Sequence, residues 1–475
     1  MVMHRCESLF APLTIGTLEM KNRIAMAPMA TDFAEGDGTV SDRLVDYYEA
    51  RARGGAGLII LEVCSVDGTF PYIPRTLGLW DDAFIPGLRR LVDAVHAHGA
   101  RVIPQVAHPG PESLSPLFNG TQTIGPVAGI VNGLTRMRCR ELGGDEIPGV
   151  VAQFAHAARR AREAGFDGIE LHAAHAYMLL GSFLSALRNR RTDGYGGDLM
   201  GRCRFPLEVL RAIREAAGED FPVTMRISAD EPVPGGRGII ETEYLASLFA
   251  RAGVAAFHVS GGVYPDLAWR VIPPTGTPHC INAEGAGRIR RAAGVPVMVV
   301  GRILDPPLAA RLIEGGDADI AVLGRALLAD PDWPAKAESG AWEDIAPCVG
   351  CGLGCVRNRE MGGDMTCIVN PAVGREREMA IRPALKKKTV MVAGGGPAGL
   401  ECARVAALAG HRVTLYERDT KPGGQFNLAA AAPGKQELGR VIKYLARQAE
   451  KAGVLLRMGE AVTPGLVESE RPDAL

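Results

Sequence analysis

The stretch Pro296-Val-Met-Val-Val-Gly-Arg-Ile-Leu-Asp-Pro-Pro-Leu-Ala-Ala-Arg-Leu-Ile-Glu-Gly-Gly-Asp-Ala-Asp-Ile-Ala-Val-Leu-Gly-Arg325 reads as one strand–helix–strand unit. A short apolar run (296–300) leads through an amphipathic stretch (306–314) to a second apolar run (318–323). Short apolar runs bounded by turn residues and separated by helical periodicity are the pattern of βα units. Working back along the chain, the pattern repeats. Runs at 23–28, 57–63, 101–107, 167–171, 222–227 and 255–260 bring the count to eight, and amphipathic stretches at 85–98, 151–164, 204–217 and 241–252 lie between them. Eight regular repeats predict an α/β fold whose N-terminal part is a closed (β/α)8 TIM barrel rather than an open doubly wound sheet. The connections 108–149 and 261–287 are long, and long βα loops lie at the mouth of such a barrel, so both are read as lids or specificity loops. Residues 14–22 read as a small hairpin that plugs the barrel bottom.

The bulk properties narrow the function classes. The chain has 475 residues, 47% apolar and 23% charged, with a net charge of −1. That balance gives no basis for binding nucleic acid or an anionic membrane surface. No apolar run approaches the ~20 residues of a membrane span, and the N-terminus lacks the apolar core of a signal peptide, so a cytoplasmic location is expected. Ten cysteines are present; Cys6, Cys64, Cys139, Cys203, Cys280 and Cys402 are scattered and read as small buried apolar residues.

Chemistry gathers at the predicted strand ends. Gly301-Arg302 closes the seventh run and Gly324-Arg325 the eighth. The loops after these two strands form the usual phosphate site of such barrels. Glycine lets backbone N–H groups approach a phosphate, and arginine offers it a planar charged fork. Gln105 ends the third run with both a donor and an acceptor. His172, His175 and Tyr177 directly follow the fourth, where all three can enter the mouth, whereas His258 on the sixth run is read as structural.

Two further motifs follow the barrel. Cys348-Val-Gly-Cys351-Gly-Leu-Gly-Cys355, with Cys367 beyond, places three thiols in one glycine-rich turn. Four thiolates can wrap a [4Fe–4S] cubane or hold a structural zinc; the spacing favours the cluster, because zinc knuckles come as two separated pairs. A charged stretch then leads to Val390-Met-Val-Ala-Gly394-Gly-Gly396-Pro-Ala-Gly399. Strand, glycine turn and helix follow one another, and a second strand (412–416) ends at Glu417, an acid suited to a ribose hydroxyl. These features divide the chain into a barrel (1–342), a cysteine segment (343–375), a solvated linker (376–388) and a partial Rossmann-like domain (389–475).

Taken in order, Asn22-Arg-Ile-Ala-Met-Ala-Pro28-Met29-Ala30, Gln105, His172 to Tyr177, Arg191-Thr-Asp193-Gly-Tyr195-Gly-Gly197, Arg226, Gly301-Arg302 and Gly324-Arg325 resemble the Old Yellow Enzyme family over residues 8–340. The cysteine spacing is similar to its 2,4-dienoyl-CoA reductase branch. The resemblance implies FMN in the barrel mouth, with Pro28, Met29 and Ala30 at the flavin edge and Glu62, Gln105, Arg226, Gly301, Arg302, Gly324 and Arg325 completing its site. It further implies a [4Fe–4S] cluster on Cys348, Cys351, Cys355 and Cys367, and FAD on Gly394, Gly396, Gly399, Glu417 and Gln425. In that scheme electrons run from NAD(P)H through FAD and the cluster to FMN. His172 and His175 hold the carbonyl oxygen of an unsaturated substrate (an enoate, enoyl-CoA or enone), and Tyr177 protonates it. An amine or N-methyl dehydrogenase, with Tyr72, Tyr264 and Trp269 as an aromatic pocket, is the alternative; an electron-transfer subunit of a split enzyme is a third.

Some features depart from the family. Ala30 stands where a hydroxyl residue is frequent and where trimethylamine-dehydrogenase relatives carry a flavin-bonded cysteine, so that covalent link is excluded. Asp198-Leu-Met200-Gly201-Arg202 replaces the usual Glu-Asn before the arginine. Relatives of this branch continue for roughly two hundred residues more. The expectation is a C-terminally short chain, read as a fragment, a truncated product or one part of a split enzyme whose partner chain supplies the NAD(P)H domain, with homo-oligomerisation left open.

Overall fold

All eight predicted runs form strands: β1 (Ile24–Met26), β2 (Leu58–Ser65), β3 (Arg101–Ala107), β4 (Ile169–His172), β5 (Val223–Ser228), β6 (Ala256–Ser260), β7 (Val297–Val300) and β8 (Ile320–Leu323). They come from a computed structural model that describes residues 6–475; the reading of the extreme N-terminus lies partly outside the described residues. The strands pair in parallel in the order β1-β8-β7-β6-β5-β4-β3-β2, and β1 pairs with β2 to close the barrel. Outside it run α1 (Asp42–Arg53), α2 (Ile85–His96), α3 (Ile147–Ala164), α4 (Leu199–Ala217), α5 (Ile239–Arg251), α6 (Ala283–Ala293), α7 (Pro306–Glu314) and the short α8 (Trp333–Glu338). Their ends obey local rules. Ser41 accepts the Leu44 N–H to start α1, Asp305 accepts that of Leu308 to start α7, and Gly165 (φ 91°) ends α3 in the left-handed conformation.

The barrel interior changes character from bottom to top. Its floor is apolar: Ile15, Leu18 and Met20 of the 13–20 hairpin pack against Leu58, Ile60, Ile103, Ala256, Met298 and Ile320. The expected plug is therefore present. With a period of two, the next inward positions are Gln105 after Ile103, Arg226 after Thr224 and His258 after Ala256, while on β2 a bulge at Glu62 brings Val63 opposite Gln105. These buried polar groups stand beneath the C-terminal mouth.

Beyond the barrel, β9 (Thr389–Ala393), β10 (Arg412–Glu417) and β11 (Leu455–Met458) form a three-stranded parallel sheet in that order, covered by α9 (Pro397–Leu408) and α11 (Gly439–Lys451), with α10 (Gln425–Ala431) between. Its core includes Val392, Leu400, Leu415, Ile442 and Leu445. The same core takes in Ala346, Val349 and Val369 of the cysteine segment, which joins the two bodies. The 375–388 stretch is not wholly solvated. Glu376 accepts a 2.5 Å bond from Arg51, whose guanidinium is fully buried on the Tyr47 ring, so the linker starts strapped to α1. Of the scattered cysteines, Cys6, Cys64, Cys139 and Cys203 are buried as expected, Cys280 is half-buried and Cys402 is exposed. Among the described residues no helix is long and apolar enough to cross a membrane.

Candidate active site

A cavity opens at the C-terminal ends of the strands. Pro28, Met29, Ala30, Gln105, His172, His175, Tyr177, Arg226, Gly301, Arg302, Gly324 and Arg325 all line it, so most of the predicted barrel-site residues meet in one place. Glu62 does not line it; it is buried behind Thr31, whose N–H and hydroxyl donate to Glu62 Oε2 at 2.9 and 2.5 Å. Burial pushes the Glu62 carboxyl up to about 8, and its Oε1 has no partner.

The catalytic candidates form a triangle. Ring centroids lie 5.7 Å apart for His172–His175, 5.2 Å for His172–Tyr177 and 5.5 Å for His175–Tyr177. The loop carrying them holds His175, Ala176 and Met178 at positive φ (65°, 50° and 54°). Non-glycine residues in that region are strained, and such strain persists where surrounding structure imposes it. Here the His175 amide donates to Ser228 Oγ at 2.7 Å. Burial and the Arg226 charge hold both histidines well below the ordinary value, so they are neutral imidazoles. Burial raises the Tyr177 phenol well above 10, and Tyr72 adds to it.

Hydrogen bonds assign the tautomers. Ser260 Oγ accepts from Arg226 Nη2 at 3.4 Å and lies 2.9 Å from His175 Nε2. Among the described hydrogen bonds the serine hydroxyl has no other acceptor, so its proton goes to Nε2, which puts the proton of His175 on Nδ1, a buried atom without a partner. His172 Nδ1 faces the Ala174 amide at 3.4 Å, so its proton sits on Nε2, 3.1 Å from the Tyr177 oxygen. The two N–H groups thus do not converge on one point: one faces Tyr177 and the other is free.

Below this triangle Gln105 Nε2 donates to Glu170 at 2.7 Å and His258 Nδ1 lies 2.8 Å from the same carboxylate. Glu170, unnoticed in the sequence, ties the floor together; it lies two residues before His172 on β4, so strand alternation was a usable signal. His258, read as structural, does not line the cavity; it contacts Glu170, and its Nε2 is buried without a partner. Ser260 and Asn282 were also missed, and Asn282 reaches the site from the 261–287 loop. Its Nδ2 bonds Val300 O at 2.7 Å while Oδ1 is buried and unpartnered.

The orphan atoms test the fit of FMN. Arg226 Nε, Arg302 Nε, Asn282 Oδ1 and His175 Nδ1 are buried with no protein partner, all on the cavity wall, which suits a polar planar group with a phosphate tail. The residues fit.

The cysteine segment is built for close approach. Gly350 and Gly352 have φ of 66° and 69°, and a Cβ at Gly354 would lie 2.5 Å from Thr366 O, which is how Cys355 comes alongside Cys367. Backbone N–H groups point at sulfur: Gly350 at 3.5 Å from Cys348 Sγ and Val369 at 3.4 Å from Cys367 Sγ. Burial raises the thiols of Cys348, Cys355 and Cys367, and nearby thiols of the set raise them further. The segment thus offers four thiols within a short stretch, two of them with a backbone N–H at the sulfur, a donor set that suits a polynuclear group. Cys355 lines the barrel cavity, and Cys351 packs on the core of the C-terminal body.

In the C-terminal body a Cβ at Gly399 would sit 1.9 Å from Gly394 O, so α9 needs glycine there to pack on the turn, while Gly394 (φ 103°) and Gly396 face open space. Both Glu417 oxygens accept backbone N–H groups, from Gly395 at 2.7 Å and Asp419 at 3.0 Å, which fixes the acid against the turn. Gln425 opens α10 after Gly423 and Gly424, both at positive φ.

Residues 8–344 match the NADH:flavin oxidoreductase / NADH oxidase family, and residues 388–467 match the pyridine nucleotide-disulphide oxidoreductase family. The chain belongs to the first of these families and is an FMN-dependent oxidoreductase of Old Yellow Enzyme type carrying a second, C-terminal redox module. It is 41% identical to the NADH oxidase of Thermoanaerobacter brockii, across 98% of this chain and 72% of that protein. It is 35% identical to the N,N-dimethylglycine/sarcosine dehydrogenase of Chromohalobacter salexigens, across 98% and 68%. The solved structure of 2-naphthoyl-CoA reductase with 2-naphthoyl-CoA superposes with a TM-score of 0.94 at 32% identity, across 98% of this chain and 73% of that one.

Proposed function

We propose that this chain reduces a C=C bond conjugated to a carbonyl. The observation that carries the reading is the His172–His175–Tyr177 triangle on the wall of the cavity, with one buried N–H left free and one phenol proton held in place. FMN, when bound in the mouth, would supply hydride; Cys348, Cys351, Cys355 and Cys367 would hold a [4Fe–4S] cluster and Gly394, Gly396, Gly399, Glu417 and Gln425 an FAD, groups whose chemistry would be electron transfer. The rest is done by side chains. His175 Nδ1–H donates to the substrate carbonyl oxygen and stabilises the negative charge that grows there as Cβ accepts hydride. Tyr177 gives its proton to Cα as general acid. His172 Nε2–H donates to the Tyr177 oxygen, which leaves the phenol proton free to move and stabilises the phenolate left behind. Arg226 sets a positive charge under the site.

The aromatic rings support a second reading, oxidation of an N-methyl amine. Tyr177 lies 6.4 Å from Tyr72 and 5.4 Å from Tyr264, a bowl of the kind that attracts a cation. The charge of the inner cavity weighs against it: its described lining includes Arg226, Arg302, Arg325 and Arg359 and no carboxylate, and in the outer chamber Glu112 and Glu360 are matched by Arg357 and Arg359. The deciding experiment is anaerobic turnover by purified, photoreduced or oxidised holoenzyme. Reduction of an enone without oxidation of N,N-dimethylglycine is expected. Amine oxidation without enone reduction would overturn the reading.

A further inference from the structure

The cysteine segment adds to the cavity a side chain that the reading above does not use. Arg359 lies four residues after Cys355, in the short helix Asn358–Glu360, and lines the flavin cavity together with His172, His175 and Tyr177. It also lines the adjoining outer chamber, where Tyr72, Tyr264, Val271 and Ile272 make an apolar wall. It therefore stands at the junction a substrate crosses.

The other arginines of the cavity are engaged. Arg226 donates to Ser260, Arg325 to Pro273 O, and Arg302 to Thr277 O and to Glu437. Among the described residues, Arg359 is the one cavity arginine with no side-chain hydrogen bond or ion pair. Two acids share the outer chamber with it, and they act on Tyr264 rather than on Tyr177. Glu112 is held by Arg188 at 3.3 Å and by the Gly133 amide at 3.0 Å, and Glu360 is exposed on the rim. Burial raises the phenols of Tyr177 and Tyr264, and the Arg359 charge opposes that rise at both, at Tyr264 by less than Glu112 and Glu360 add to it. Hydride transfer to an unsaturated acid places a second negative charge on a group that already carries one. A neutral imidazole suffices for a ketone enolate, but that dianionic arrangement calls for a cation.

We infer that Arg359 is the specificity residue of this site and binds the carboxylate of an α,β-unsaturated acid at the passage between the two chambers. The inference rests on the proposed C=C reduction and names its substrate class. A guanidinium here favours an acid over a ketone of the same shape, and a ketone over an amine.

The test separates binding from turnover. Holoenzyme is titrated with three saturated, nearly isosteric probes, 3-phenylpropanoate, 4-phenylbutan-2-one and 3-phenylpropylamine, and the flavin difference spectrum gives Kd. The acid is expected to bind at least tenfold more tightly than the ketone, and the amine most weakly. Arg359→Gln should weaken the acid tenfold or more and leave the ketone within twofold, and Arg359→Lys should recover part of the loss. Ketone affinity and the flavin spectrum report whether a variant is folded, and the wild-type ranking tests the inference without any variant. Equal affinity for acid and ketone, or a parallel loss of both in Arg359→Gln, overturns it. Turnover of cinnamate and 4-phenylbut-3-en-2-one is read separately. A wild-type enzyme that reduces neither defeats the C=C reading, whereas one that reduces only the ketone defeats the Arg359 inference alone.

Discussion

His172 Nε2 lies 3.1 Å from the Tyr177 phenol oxygen, and both groups are buried against the same cavity. The histidine is therefore a positioning residue for the acid as much as a ligand for substrate. Tyr177→Phe removes the proton donor and leaves the ring and its contacts. Bound FMN should be retained, while reoxidation of reduced enzyme by an enone slows about 10²–10⁴-fold. Reoxidation by a one-electron acceptor, which needs no proton at Cα, should change little. Equal slowing with both oxidants would remove Tyr177 from the acid role.

The free donor makes a second, separable prediction. His175 sits at φ 65°, a conformation that asparagine tolerates better than most residues, so His175→Asn preserves the loop. It should cost about 10²–10³-fold in the enone step, the usual scale for one oxyanion donor. Because both imidazoles are held well below 6.5, the wild-type rate should show no histidine inflection between about pH 6 and 8. An inflection near 6.5 would mean that a charged imidazole takes part.

Glu62 and the buried histidines act oppositely on stability. The histidines are neutral when folded and charge on unfolding below about 6.5, so their contribution fades as pH falls through that value. Glu62 has a folded value of about 8 against an ordinary 4.5, so the folded state holds the extra proton between them and stability falls as pH rises across that window, by up to about 1.4 kcal/mol per unit. Glu62→Gln keeps an acceptor for Thr31 and removes the titration. Its stability relative to wild type should therefore improve from pH 5 to pH 8.5 in chemical denaturation; a constant difference would mean that Glu62 is ionised in the fold.

Cys355 borders the flavin cavity, whereas Cys351 packs on the C-terminal core. Cys355→Ser should lower iron and acid-labile sulfide from about four each per chain, as for a cubane. Enone turnover by photoreduced enzyme should persist within about threefold, because His175 and Tyr177 are untouched. Zinc at about one per chain in the wild type, with no iron, would turn the segment into a structural clip.

How far the sequence could be read follows from where each partner lies. The barrel strands were legible to within about two residues because each is a short apolar run closed by turn residues, and the 13–20 plug because its alternation is local. His172, His175 and Tyr177 were legible because a strand end places them. Glu170 was readable in principle from its spacing to His172, but it was passed over as an acid inside an apolar run. The partners that set the chemistry come from afar: Ser260 reaches His175 across 85 positions and Glu376 reaches Arg51 across 325. No local pattern encodes such meetings, and nothing in the cysteine spacing signals that Arg359 faces the cavity.

Arg302 joins two functions that the sequence presented separately. It was read as a phosphate ligand at the end of β7. Its fully buried guanidinium also donates to Thr277 O and to Glu437 of the C-terminal body, while Nε points into the cavity wall without a partner. Glu437 lies 3.3 Å from His279 as well, so one carboxylate docks the second body onto the barrel at the end of β7. A carboxylate on that guanidinium opposes a phosphate beside it. Glu437→Gln should therefore tighten FMN, by about five- to tenfold for a charge effect of ~1 kcal/mol. It should also make the 375–388 linker more open to proteolysis, because docking loses an ion pair. Arg302→Lys should weaken FMN by tenfold or more, since a lysine cannot serve the phosphate and Glu437 together through a planar fork. FMN release followed by flavin fluorescence reads both variants. Weaker FMN in Glu437→Gln would mean that the carboxylate helps by orienting Arg302 more than it harms by its charge.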